Sequence, residues 1–185
     1  MLLLGDTECG KACLARAWTS SQHSTPGSVT SAIPNTGKTV VNIRGCGIGL
    51  DVWDIGTAED FSKTERQEIL RRDFDGNTHV LLICVDINKP NDFVDTACTC
   101  NAKARDYFPD VPRVLVGCNN DLRLGTSERK NLKSQHIPPF ASSWGHKLAA
   151  SIHALAYFEV SKSDNQGSSD LFDFVGAYML RYTVK

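Results

Sequence analysis

Met1-Leu2-Leu3-Leu4-Gly5-Asp6-Thr7-Glu8-Cys9-Gly10-Lys11-Ala12-Cys13 sets a short apolar run directly before two glycines and a lysine. The spacing reads G-x-x-x-x-G-K, one residue short of a full phosphate-binding loop. In such a loop, glycines let backbone N–H groups turn inward around phosphates, and the following helix adds its positive N-terminal end. The lysine carries a point charge to the β/γ-phosphates, and a hydroxyl at the next position ligates Mg²⁺. Here that position holds Ala12. Residues Ala12 to Trp18 contain good helix formers with apolar residues on one face, so the loop stands between a strand and a helix. Two glycines and a lysine also recur by chance; the flanking pattern is what favours the phosphate loop.

The 185 residues predict one domain, spanning 1–185, with a full hydrophobic core. A formal net charge of −1 gives no reason to expect nucleic acid or acidic membranes as partners. No apolar run reaches the length of a membrane span, and Met1 to Leu4 is too short for a signal peptide. Seven cysteines, an odd number scattered through apparent core elements, favour reduced thiols in a cytoplasmic protein. Cys98-Thr99-Cys100 has no second ligand pair at zinc spacing.

Along the chain, residues 19–37 read as a long loop rich in Ser, Thr, Pro and Gly. Lys38–Arg44 and Ile48–Asp54 read as strands, with a hairpin turn at Gly45-Cys46-Gly47. Helical character appears over Thr64–Asp73, Asn91–Phe108 and Ser142–Leu155, and again in the closing segment, where Ser168 and Ser169 are candidate caps. Val80–Asp86, Val114–Cys118 and Ala156–Val160 complete the strands; the first of these is apolar throughout, as expected where helices cover both sheet faces. The predicted class is α/β, a six-stranded, mainly parallel sheet with helices on both faces. In such a sheet, ligands sit at the carboxyl ends of the strands.

The loops at those ends resemble one known set. Gly5-Asp6 to Cys9-Gly10-Lys11, Trp53-Asp54 followed by Glu59-Asp60-Phe61, and Phe108-Pro109-Asp110-Val111-Pro112 leading to Leu115-Val116-Gly117 carry the resemblance. Over nearly its whole length the chain is similar to small GTPases of the Ras superfamily, and specifically to the Rho family. Residues around 123–137 have the length and polar character of the Rho insert. The resemblance implies a P-loop G domain that takes GTP or GDP and meets effector or regulator proteins through its switch segments. It implies nucleotide contacts from Asp6, Thr7, Glu8, Cys9, Gly10, Lys11, Ala12, Cys13, Asp54, Asn119, Asp121, Ser161 and Lys162, with Asp54 the metal-side carboxylate.

Departures from the family pattern narrow that implication. The family's D-x-x-G-Q places a glycine N–H on the γ-phosphate and a glutamine on the attacking water; here Thr57 and Ala58 hold those positions. An alanine does not orient water, so hydrolysis should be slow or absent and no catalytic residue is assigned. The first-switch threonine has no clear counterpart: Thr25, Thr30 and Thr36 lack its context, and a gap-free alignment places Ala32 there. The segment after Phe61 is about six residues longer than the Rho pattern. Of N/T-K-x-D only Asp121 remains in Cys118-Asn119-Asn120-Asp121, and of S-A-K only Ser161. Mg²⁺ binding should be weak or absent. A hydrogen bond to a charged group is worth roughly 1.5–3 kcal/mol, so several such losses would weaken binding greatly.

Both chain ends also depart from the family. The first strand should be clipped and frayed, and Arg181–Lys185 carries no prenylation cysteine or polybasic run, so no membrane anchor is expected on this chain. Two main readings remain: a weak guanine-nucleotide-binding signalling domain with impaired hydrolysis, or a nucleotide-independent pseudo-GTPase serving as an interaction scaffold. A third, an ATP-using enzyme with the same loop, gains nothing from Asp121.

Overall fold

Alternation within the strands decides how the layers stack. Leu2 and Leu4, Leu81, Ile83 and Val85, and Leu115 point to one face of the sheet; Leu3, Leu82 and Cys84, and Val114 and Val116 point to the other. A strand buried on both faces reads as a continuous apolar run, which is what the sequence shows. Full burial of each such leucine stabilises the fold by about 1.5–3 kcal/mol.

The computed structural model describes residues 1–7, 9–11, 14–15, 35–60, 63–120, 141–161 and 165–183. Its elements run β1 (Leu2–Gly5), β2 (Asn35–Ile43), β3 (Cys46–Asp54), α1 (Thr64–Phe74), β4 (Leu81–Asp86), α2 (Pro90–Tyr107), β5 (Arg113–Cys118), α3 (Ser142–Ser151), β6 (Tyr157–Glu159) and α4 (Asn165–Thr183). Among the described residues the strands form one six-stranded sheet in the order β2-β3-β1-β4-β5-β6. Only the β2–β3 pair is antiparallel. Helices α1, α2 and α3 supply Leu70, Phe93, Ala97 and Leu148 to one core layer. Helix α4, with Leu171, Phe172 and Val175, and the helical residues Leu14 and Ala15 fill the other. The α/β expectation, with helices on both faces, is met.

Several local expectations are corrected. β1 is not frayed: its four residues are buried and paired with β3 on one side and β4 on the other. The hairpin turn is Arg44-Gly45, with φ of 52° and 82°, while Cys46 and Gly47 already pair with Ile43 and Asn42. Two successive positive φ values suit the twist of a two-residue hairpin, and Gly45 takes its share without strain. β2 starts at Asn35, inside the stretch read as loop, so the backbone of Thr36 belongs to a strand. Ser168 and Ser169 do not cap α4 but lie within it, and Ser168 is buried. The helix starts earlier because its first turn packs on β6, where a Cβ on Gly167 would stand 2.2 Å from the Glu159 carbonyl oxygen.

Helix α3 ends four residues before the expected Leu155. The His153 N–H donates to the Ala150 carbonyl and the Ala154 N–H to that of Ala149, with His153 at φ 56°. This is a Schellman ending in which histidine takes the place usually given to glycine. Beyond it, Tyr157 fills space left by two glycines: a Cβ at Gly117 would lie 2.4 Å from its hydroxyl and one at Gly145 2.2 Å from its ring. Its hydroxyl donates to Glu159 at 2.9 Å.

Outside the described residues lie Glu8, Ala12, Cys13, Asp121 and Lys162, the loop stretch carrying Thr25, Thr30 and Ala32, and the proposed insert. No helix among the described residues is long and apolar enough to cross a membrane.

Candidate functional site

The carboxyl ends of the parallel strands place Gly5, Asp54, Asp86 and Cys118 along one rim of the sheet. The loop leaving β1 turns tightly. The Cys9 N–H donates to the Asp6 carbonyl at 3.4 Å, and the Leu14 N–H to that of Gly10 at 3.0 Å, starting the following helix. Gly10 has φ +104°, and a Cβ there would stand 3.0 Å from the Cβ of Cys118. Both the torsion and the space require glycine.

Lys11 is folded into this loop and is only 7% exposed. Its ammonium donates to the carbonyls of Gly5 at 2.7 Å and Asp6 at 2.5 Å, with the Cys9 sulfur at 3.8 Å. Among the described residues no carboxylate pairs with it. A buried cation without a counter-charge is costly, and a phosphate is the anion this loop shape admits. Asp6 turns its own carboxylate outward, where it accepts from the Thr96 hydroxyl at 2.9 Å.

Behind the loop stands a wall of thiols. Burial pushes the Cys9 thiol up to about 12, and Cys84 next to it reinforces the shift. Cys84 is raised well above the ordinary thiol range, first by its hydrogen bond with Cys118 and then by burial. Burial likewise lifts Cys100 to about 12. These thiols stay protonated at neutral pH and are packing groups rather than nucleophiles. The six described cysteines are free.

On the β3 side, the Gly5 N–H donates to the Gly56 carbonyl at 3.2 Å, fastening the next loop to the first. Asp54 accepts from the Gly56 N–H at 2.9 Å. Asp60 Oδ2 then accepts from both the N–H and the hydroxyl of Thr57, at 2.9 and 3.1 Å, and the Asp60 N–H returns a bond to the Thr57 carbonyl. Lys63 reaches Asp60 Oδ1 at 2.9 Å. The Thr57 N–H first, and Lys63 after it, hold the Asp60 carboxyl at about 2, well below its usual range. Ala58 sits in the core layer beneath this turn, while Glu59 is exposed. In the sequence, Asp60 stands out only as part of the Glu59-Asp60-Phe61 resemblance, with no role in the site; a Thr-x-x-Asp spacing inside a strand-end loop is the faint signal of its bonds to Thr57.

On the β5 side, Asn119 has φ 65° and is buried, a backbone region asparagine tolerates better than most residues. Its side-chain oxygen lies 3.3 Å from where a Gly10 Cβ would stand, and its carbonyl accepts from Asn88 at 2.9 Å. The Asn120 N–H donates to the Val160 carbonyl, which brings Ser161 beside Asn119. The described candidates thus form one rim: Asp6, Thr7, Cys9, Gly10 and Lys11 at its centre, Asp54 on one side, Asn119 and Ser161 on the other. A cavity of about 900 Å³ lies elsewhere, between the β2–β3 hairpin and the ends of α1 and α4. It contains no candidate site residue.

The family model described as "Ras family" matches residues 1–181. The chain belongs to the Ras family. Within that family, it is 28% identical over 161 residues to the human protein "Rho-related GTP-binding protein RhoD", covering 87% of this chain and 73% of the relative. It is 25% identical over 172 residues to the cattle (Bos taurus) protein "Rho-related GTP-binding protein RhoF", covering 93% of this chain and 76% of that relative. As in the Ras-family reading of the sequence, the rim centres on the G-x-x-x-x-G-K loop.

Proposed function

We propose that this chain is a Rho-type guanine-nucleotide-binding signalling domain that holds GDP or GTP weakly and hydrolyses GTP poorly. One observation carries the reading: the Lys11 ammonium is buried inside a glycine loop with no carboxylate beside it among the described residues. Two relatives named as Rho-related GTP-binding proteins support the choice of nucleotide. In this reading Lys11 and the loop amides hold the phosphates, Asn119 and Ser161 border the base with Asp121 and Lys162, and the switch segments meet effector or regulator proteins. Bound Mg²⁺ would screen phosphate charge from the side of Asp54; Ala12 offers it no oxygen, so it adds little to affinity. The buried Ala58 neither reaches nor orients a water, which supports poor hydrolysis.

A second reading, a nucleotide-independent scaffold, is favoured by the partners that Lys11 already has. Gly5, Asp6 and Cys9 accept from its ammonium, so a phosphate must displace contacts already made. Titration with fluorescent GDP and GTP, with and without Mg²⁺, separates the two. Saturable binding weakened at least about tenfold in Lys11→Ala is expected, on the scale of a hydrogen bond to a charged group. A flat titration at millimolar nucleotide leaves the scaffold.

A further inference from the structure

We propose that Asp60 selects the nucleotide state, biasing the site toward the diphosphate by occupying the donors that a terminal phosphate would need. The inference rests on the nucleotide-binding reading and deepens it. Sheet order sets the direction: β5 and β6 lie on one side of β1, and β3 lies on the other. A nucleotide with its base beside Asn119 and Ser161 and its phosphates at the loop after β1 therefore extends toward β3. There the Gly5–Gly56 hydrogen bond holds the start of the Thr57 turn against the phosphate loop.

Thr57 offers that terminal position an N–H and a hydroxyl, and both are given to Asp60 Oδ2. A carboxylate oxygen in this place is an internal stand-in for a phosphoryl oxygen: an anionic acceptor held by two donors. Lys63 balances part of its charge, but it is 71% exposed and its pairing is screened by water. Triphosphate must either displace Asp60 or forgo these donors and face its charge. Diphosphate, held through Lys11, meets neither cost. A ligand shifts such an equilibrium only by its differential affinity for the two arrangements, and the added phosphate is where that difference arises.

The test is titration calorimetry of the wild-type chain, Asp60→Ala and Asp60→Asn with GDP and with a non-hydrolysable β,γ-imido analogue of GTP. Wild type is expected to prefer GDP by about tenfold or more, the scale of a charge-assisted hydrogen bond. Asp60→Ala is expected to raise affinity for the analogue about tenfold and to leave GDP within about twofold. Asp60→Asn, which keeps an acceptor without the charge, is expected to fall between. If GDP binds but the ratio stays the same in Asp60→Ala, even with a lowered melting temperature, the turn is merely structural and the proposal is overturned. If neither nucleotide binds to any of the three proteins, the binding reading itself fails and the selector falls with it.

Discussion

The two turns that meet at the Gly5–Gly56 hydrogen bond solve opposite electrostatic problems. The loop after β1 buries a cation among carbonyls and pairs it with no described carboxylate. The turn after β3 does the reverse, supplying its own anion and satisfying it with Thr57 and Lys63. One turn is built to receive a negative group and the other is already occupied by one. Under the proposed function, relatedness of sequence therefore does not carry equally to both sides of a single rim: the half proposed to hold phosphate keeps its glycines and lysine, and the half proposed to face a terminal phosphate has its Thr57 donors taken by Asp60.

The contrast breaks most severely at Gly5. A Cβ there would lie 2.1 Å from the Cys84 carbonyl oxygen, a backbone atom that has no room to move within the paired β1 and β4 strands. Gly5→Ala is expected to cost about 3 kcal/mol or more, the upper range for overpacking, read as a fall in the denaturation midpoint. Normal stability of this variant would mean that β1 and β4 are not packed this closely beneath the loop.

A smaller effect is expected on the closed side. Ala58→Gln restores the family's side chain on paper but drives a longer polar group against the core layer that holds Leu70, Phe93 and Cys100. A loss of about 1–3 kcal/mol is expected in chemical denaturation, with no recovery of GTP turnover. Recovered turnover at unchanged stability would show that the turn opens readily.

The smallest effect is a titration. Because Asp60 titrates at about 2 in the folded protein, below the roughly 3.9 of a free aspartate, its hydrogen bonds contribute fully above about pH 4. That contribution is lost as pH falls from about 4 through 2. The Thr57 amide resonance should hold steady from neutral pH down to about 4 and move below it. Movement centred near the ordinary aspartate value would mean that the Thr57–Asp60 bonds do not persist in solution.

How far the sequence foretold these features depended on the kind of interaction. Strand alternation and the continuous apolar run at Val80–Asp86 were legible because burial on both sheet faces leaves no room for polar residues. The loop around Lys11 was legible because its glycines are demanded by torsion and space. The α3 ending was not, since His153 takes a conformation for which glycine is the usual marker. The Arg44-Gly45 turn was misplaced for a related reason, as three small or polar residues in a row offered more than one place to reverse the chain. At the site, Asp60 is legible only as part of the Glu59-Asp60-Phe61 resemblance, because its bonds come from two donors on Thr57, three residues away, which no periodicity reports. Of the base-side motif, Asn119 and Ser161 are brought together, while Asp121 and Lys162 lie outside the described residues.

Tyr157 and the two glycines that admit it carry a consequence for how this chain tolerates variation. Gly117 and Gly145 belong to different elements, yet the same ring forbids a side chain at either. Substituted one at a time, each glycine has almost no acceptable replacement. A smaller residue at 157 would open the space at Gly145, whereas a Cβ at Gly117 would still stand 2.7 Å from Ile87 Cγ2, so its release needs a change there as well. Variation at these sites is therefore coupled through Tyr157 and, for Gly117, through Ile87, and a library randomised one position at a time would mistake that dependence for separate prohibitions.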